Sequence, residues 1–326
     1  MAKKSTPKLD ALIFIDTNIL LDFYRIRSSN ISLKYLAEIE KHKDVLILTD
    51  QVEMEFRKNR QSVILEAFNE ANKSSNTGAS VPTVLVDAKP AAMIKKAQAK
   101  ILEQQKKLRN RLEKILTNPV KDDKVYQTLQ RVFRTDSQFI LTRESDQKDK
   151  IRELANKRFM LGYPPRKKSD NSIGDSINWE WIIDCAKRTD KHIIIVTRDT
   201  DFGIVYGDSM YLNDWLQLEF RERVSHKRKI KITNKLSDAF KWAQIPVTAE
   251  MIEEEQNIVE KPFVSGLTPY EQWLITSRAL QNVVHNRIRN AIAHGQNMYQ
   301  APDVSGFSPP NIGFIADDES KDFDEK

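Results

Sequence analysis

Five carboxylates fall at four places where chemistry could be done. Asp16 follows the apolar run Leu12-Ile13-Phe14-Ile15, and Glu55 lies in the first turns of the helical stretch after Val45–Thr49. Asp175 stands at the start of a Trp-containing helical stretch, and Asp199 and Asp201 come just after Ile193–Thr197. They are far apart in the chain but stand at equivalent places, each ending a strand or starting a helix. Ligands of open α/β sheets bind beyond the carboxyl ends of the strands, so neighbouring parallel strands would converge these acids on one pocket. Four or five like charges held together are costly unless a cation neutralises them. Lys, Arg or a divalent metal would serve, and oxygen-only ligands with open water positions suit Mg²⁺ or Mn²⁺. Such a centre activates a water, orients a phosphodiester and stabilises the leaving oxygen. Simpler roles exist for each acid: Asp16 and Asp175 as helix N-caps, Asp199 as a turn residue. Recurrence at four equivalent places favours the shared pocket.

The elements that must position these acids are visible as pattern. Continuous apolar runs at 11–15, 45–49 and 193–197 are those of strands buried on both faces of a parallel sheet. Helices are expected near 18–27, from Leu33 to His42, and from Asp50 onward, giving the order β-α-α-β-α. From residue 60 to about 170 that alternation is interrupted. A loop by composition spans 74–80. A long helix starts at Pro90, and Ile94, Ala97, Ile101, Leu108, Leu112 and Ile115 make a narrow apolar seam suited to one arm of a helical hairpin. The second arm would run from Asp122 to Phe133. Alternation resumes with a buried helix, Ser176 to Lys187, and the strand at 193–197. A last strand is expected near Met210–Leu212 and a helix at Trp215–Arg223. Further helices are expected at 236–243, 248–258 and 268–294.

Composition narrows the setting. The chain has 326 residues, 40% of them hydrophobic, enough for one large domain or two ordinary ones. Its net charge of +6 favours an anionic partner such as nucleic acid. The charge is uneven. Nine Lys or Arg against two Glu lie between Lys89 and Lys114, no acid occurs over 157–168, and seven Lys or Arg against one Glu occupy 221–235. Residues 301–314 are rich in Pro, Gly and Ser, and the last ten residues carry six acids, which reads as an acidic tail. The single cysteine, Cys185, excludes an intrachain disulfide and suits a reducing compartment. No apolar run approaches a membrane span and no leader pattern opens the chain, so a cytoplasmic protein is expected.

Four motifs together resemble those of PIN-domain nucleases: Phe14-Ile15-Asp16-Thr17-Asn18, Gln51-Val52-Glu53-Met54-Glu55-Phe56, Gly174-Asp175, and Val196-Thr197-Arg198-Asp199-Thr200-Asp201-Phe202. Asn59-Arg60, Arg158-Phe159 and Gly162-Tyr163-Pro164-Pro165 extend the resemblance to the large bacterial PIN-like subgroup with an inserted helical region. It implies a three-layer α/β/α fold with a mainly parallel sheet. The nuclease core would be 9–60 with 170–225, the basic helical insertion 61–169, the α-helical C-terminal region 236–298 and the tail 299–326. It also implies a metal-dependent endonuclease, usually acting on RNA, with Mg²⁺ or Mn²⁺ on Asp16, Glu55, Asp175 and Asp199, and Asp201 beside them. Glu53 competes with Glu55; the two are about 200° apart on a helix, so one can point inward, and the match at Phe56 favours Glu55. Toxin or anti-phage roles, with a regulatory protein partner or antitoxin and possible oligomers, are common for such proteins.

Phosphate contacts are expected from Arg57, Arg60, Arg158, Arg166, Lys167 and Arg198. Tyr163, Tyr126 and Phe159 could stack on unpaired bases, with packing as the other reading. A second element, Arg289-Asn290 with His294, resembles the Arg-Asn-x₃-His motif of HEPN-type ribonucleases, which are metal-independent. A helix end closed by His294-Gly295 explains the same residues. The alternatives are therefore a catalytically silent nucleic-acid-binding module and a HEPN-like ribonuclease.

Overall fold

The computed structural model describes residues 10–26, 28–74, 82–85, 87–166 and 172–260. The expectations for the 268–294 helix, Arg289 and His294, the tail and Lys167 lie outside these. Five parallel strands form the main sheet: β1 (Ala11–Ile15), β2 (Leu46–Thr49), β3 (Ile140–Leu141), β4 (His192–Val196) and β7 (Ile230–Thr233), in the order β3-β2-β1-β4-β7. A separate antiparallel hairpin, β5 (Gly203–Tyr206) with β6 (Ser209–Leu212), comes after β4.

β1 and β4 are the central strands, buried along almost their whole length, which is why they read as unbroken apolar runs. Their register pairs Ile15 with Val196, so both chains leave the sheet at the same level. The Asp16 N–H donates to the Val196 carbonyl at 2.9 Å, and the Thr197 N–H to the Thr233 carbonyl at 3.0 Å. The chain moves outward from β1 to β2 and β3, then returns to β4 on the other side. The order therefore reverses between β1 and β4, and a crevice opens at that switch point.

Right-handed crossovers put the helices of the two halves on opposite faces. One face carries α2 (Ser29–Lys41), α6 (Lys124–Phe133), α10 (Leu236–Ala243) and α11 (Ala249–Glu260), which pack on one another. The other carries α7 (Lys148–Leu161), α8 (Gly174–Thr189) and α9 (Asp214–Arg223). The short α1 (Thr17–Leu21) and the long α3 (Asp50–Ser74) pack together beside the crevice. The fold is the three-layer α/β/α arrangement expected. Among the described residues no helix is long and apolar enough to cross a membrane.

Several expectations need correction. The 18–27 helix is α1 followed by a 3₁₀ turn at Asp22–Tyr24. The strand near 210–212 belongs to the hairpin, and the true edge strand is β7, inside the basic run 221–235. Its Ile-Lys-Ile-Thr alternation is that of an edge with one buried face, Ile232 inward and Lys231 outward over the Trp242 ring. Within 61–169, Val63, Leu129, Val132, Phe133, Ile140, Leu141, Ile151 and Ala155 lie in the same buried cluster as β1 and β4. Among the described residues the expected helical hairpin does not form. The long helix α4 (Lys89–Thr117) leads through α5 (Pro119–Asp122) to α6, but α6 turns its apolar face onto α2. The seam residues Ile101 and Leu108 of α4 remain exposed.

Candidate active site

Asp16 is the N-cap of α1, and it is also the most enclosed acid of the crevice. Its Oδ1 accepts from the Thr17 N–H at 2.6 Å. Its Oδ2 accepts from Asn18 Nδ2 at 2.7 Å and from the Thr197 hydroxyl at 2.5 Å. Burial pushes its carboxyl up to about 6; the Thr197 hydrogen bond opposes this, while the charges of Asp199 and Glu55 add to it. The two readings of Asp16 thus coincide, because a side chain that caps a helix at a switch point necessarily lines the crevice.

Glu55 comes from α3, one and a half turns after β2. Its Oε2 accepts from the Thr17 hydroxyl at 3.1 Å and its Oε1 from Gln51 Nε2 at 2.6 Å. Glu53 instead pairs with Arg57 one turn on at 2.6 Å and lines a different pocket. Glu55 is held against the start of α8 by Gly174. A Cβ there would stand 2.7 Å from Glu55 Oε1 and 2.6 Å from Gln51 Nε2. Both are ends of flexible side chains, so the fold can yield where the site cannot. Gly174→Ala is therefore expected to keep stability within about 1 kcal/mol of wild type, alanine being the better helix former. Cleavage should fall by about tenfold or more, since a shift of order 1 Å in a reacting group can cost that much. Melting and cleavage rates measured on the same preparation check this; unchanged cleavage would refute a role for Glu55 in the site.

Asp175, at the start of α8, meets Asp199 and Asp201 beyond β4. One carboxylate oxygen from each lies within 4.8 Å of the others. The β4 exit is shaped by hydrogen bonds. The Asp199 N–H donates to Thr197 Oγ1 at 2.9 Å, and the Asp201 N–H to Asp199 Oδ1 at 3.2 Å, an Asx-type turn that aims both acids the same way. Oxygens around Mg²⁺ are about 3.0 Å apart when adjacent and about 4.2 Å when opposite, so three hard donors within 4.8 Å of one another would have to close slightly to hold such an ion. Asp16 and Glu55 stand beside the triad rather than within it.

Sequence reasoning missed two of the residues that fix the site, Asn18 and Gln51. Asn18 bridges the two central strands, Nδ2 to Asp16 and Oδ1 accepting the Arg198 N–H at 3.3 Å. Gln51 precedes Glu55 by four residues, a helix-neighbour spacing that could have flagged it.

The expected phosphate-binding arginines separate into two groups. Arg60 and Arg158 are internal, contrary to expectation. Arg60 is buried against Asp123 at 2.7 Å and donates to the Ile115 carbonyl, while Arg158 is buried between Glu180 and Glu219. In both cases a long cation was the partner that a buried carboxylate required. Arg57 is exposed but occupied, donating to Glu53 and to the Tyr126 hydroxyl. Arg198 is ion-paired with buried Asp22. Arg166 is exposed, its guanidinium 4.6 Å above the Phe159 ring.

An all-parallel sheet whose switch point gathers carboxylates from four chain segments is an acidic-pocket α/β domain. A family model described as PIN domain matches residues 13–202, more than half of the chain, and the chain belongs to the PIN-domain family. That family is in general one of nucleases, typically using divalent metals. No curated protein and no solved structure matches the chain.

Proposed function

We propose that this protein is a divalent-metal-dependent endonuclease that hydrolyses RNA. The observation that carries the reading is the convergence of Asp175, Asp199 and Asp201 within 4.8 Å, beside buried Asp16. In this reading the triad holds Mg²⁺ or Mn²⁺, and Asp16 and Glu55 complete the negative pocket. Bound metal supplies Lewis acidity and a nucleophilic water near neutral pH. Asn18, Thr17 and Thr197 keep the carboxylates in place by hydrogen bonds, so little reorganisation is needed when charge develops. In-line attack on the phosphodiester would leave 5′-phosphate and 3′-hydroxyl ends. The excess positive charge outside the pocket, +6 overall, supports a phosphate-bearing substrate. A toxin or defence role with a regulatory partner rests on the resemblance to the large bacterial subgroup.

The test is cleavage of end-labelled single-stranded RNA, with a DNA control, by wild type and Asp199→Asn in Mg²⁺, Mn²⁺ or EDTA. RNA cutting that requires metal and is lost in Asp199→Asn is expected. Cutting that survives both EDTA and the substitution would move the chemistry to Arg289 and His294. Salt-sensitive binding without cutting would leave a silent binding module.

A further inference from the structure

Two aromatic rings stand exposed on segments hydrogen-bonded to the neighbours of the triad acids. Tyr163 and Trp215 have ring centroids 5.1 Å apart, tilted by 34°. They are 40% and 45% exposed, whereas Trp179 and Trp181 of α8 are entirely internal. Neither ring is needed to fill the core.

Each ring is tethered to one side of the triad. The Tyr163-Pro164-Pro165 segment leaves α7, and the Pro165 carbonyl accepts from the Ser176 hydroxyl at 3.4 Å; Ser176 is the neighbour of Asp175. Trp215 lies in the first turn of α9, two residues after its N-cap Asn213. The Asn213 N–H donates to the Phe202 carbonyl at 2.9 Å, and Phe202 is the neighbour of Asp201. Asn213 also caps the helix, its Oδ1 accepting the Trp215 N–H at 2.9 Å, which fixes where the indole emerges. Each ring thus lies two residues along the chain from a hydrogen bond to the neighbour of a triad acid, Tyr163 through Pro165 and Trp215 through Asn213. One residue past Pro165 comes exposed Arg166.

We propose that the Tyr163–Trp215 ring pair is a stacking subsite for an unpaired nucleobase of the strand being cut. The inference rests on the nucleic-acid reading above and adds a preference for single strands. Aromatic faces bind any base by stacking, and a base paired in a duplex cannot present its face. A cation beside the rings neutralises the adjoining phosphate, as single-strand sites require. Tyr211 on β6, four residues before Trp215, is a further exposed ring at 54%.

The test measures binding by fluorescence anisotropy in Ca²⁺. The probes are a labelled oligouridylate, a strand of the same length with abasic sugars, and a duplex RNA. Trp215→Ala and Tyr163→Ala should each weaken oligouridylate binding about tenfold, leaving abasic and duplex binding unchanged. Trp215→Phe should bind within about threefold of wild type, because a ring face remains. Intrinsic fluorescence adds a second readout: oligouridylate should quench wild type, and Trp215→Phe should lose that quench even if the alanine variant fails to fold. Ring variants that bind oligouridylate like wild type would overturn the subsite and leave the surface as a protein-docking face. Equal losses on all three probes would overturn it too, as a general folding or charge effect. A wild type that binds none of the probes would instead refute the nucleic-acid reading itself.

Discussion

Asp16→Asn is expected to lower cleavage by about 10³-fold or more, while making the metal-free protein harder to unfold at pH 8. The two effects share one cause. Burial raises the Asp16 carboxyl from 3.8 to about 6 in the folded protein. The folded state therefore binds that proton more tightly than the unfolded chain does. Its contribution to stability is fully present below pH 4, is lost as pH rises through about 6, and stays lost above that. A shift of this size corresponds to about 3 kcal/mol carried by the ionised form at neutral pH. An amide removes the charge but returns part of the gain. Its single oxygen cannot accept from the Thr17 N–H on one side and from Asn18 and Thr197 on the other. A net stabilisation of about 1–2 kcal/mol at pH 8 remains, vanishing or reversing near pH 4. Denaturant unfolding in EDTA between pH 4 and 8 checks this. Parallel stability curves for wild type and variant would mean that Asp16 bears no such cost. Added Mg²⁺ should raise the wild type and leave the variant nearly unmoved, since a ligand stabilises only the state that binds it.

The sheet and its acids were legible in sequence for a physical reason. Strands buried on both faces must be apolar throughout, so β1, β2 and β4 announce themselves, and topology alone brings the residues just beyond their carboxyl ends to the crevice. Gly174-Asp175 was legible because helix starts favour short polar residues, although the glycine's purpose was not: it is the close approach of Glu55. Edge elements were harder. β3 is two residues long, and β7 alternates within a basic run. Arginines were the least legible. Charge in a sequence shows only that a cation exists, and whether it faces solvent depends on a carboxylate remote in the chain, as with Arg60 and Asp123. Exposed Arg166 and internal Arg158, eight residues apart in one acid-free segment, show how little local composition decides.

Arg158 also carries the largest expected loss of stability. It is 4% exposed, and its Nε donates to Glu180 Oε1 at 2.8 Å. It also donates to Glu219 and to the Pro164 carbonyl. Arg223 closes the square, reaching Glu180 at 2.6 Å and Glu219 at 2.5 Å, and the Trp179 indole N–H donates to Glu219 at 3.1 Å. Burial would raise the Glu180 carboxyl, yet the hydrogen bonds and charges of Arg223 and Arg158 outweigh it and hold the group below its usual range. Glu180→Leu removes the more buried of the two acids shared by both arginines and leaves Arg158 inside the protein with Glu219 as its remaining carboxylate. The expected cost is about 3–5 kcal/mol, a drop in melting temperature of roughly 8–15 °C. Arg158→Leu in the same chain should restore a good part of it, because an apolar pair of similar volume replaces the buried ions. Thermal unfolding of the singles and the double measures the coupling; additive losses would mean that the two residues do not act as a pair. The consequence reaches the site. This network ties α7 and the Pro164 segment to α8 and α9, the elements that present Asp175, Tyr163 and Trp215. Glu180→Leu should therefore loosen the triad as well as the fold, and the double variant should regain stability before it regains full cleavage, since leucines cannot hold the Pro164 carbonyl.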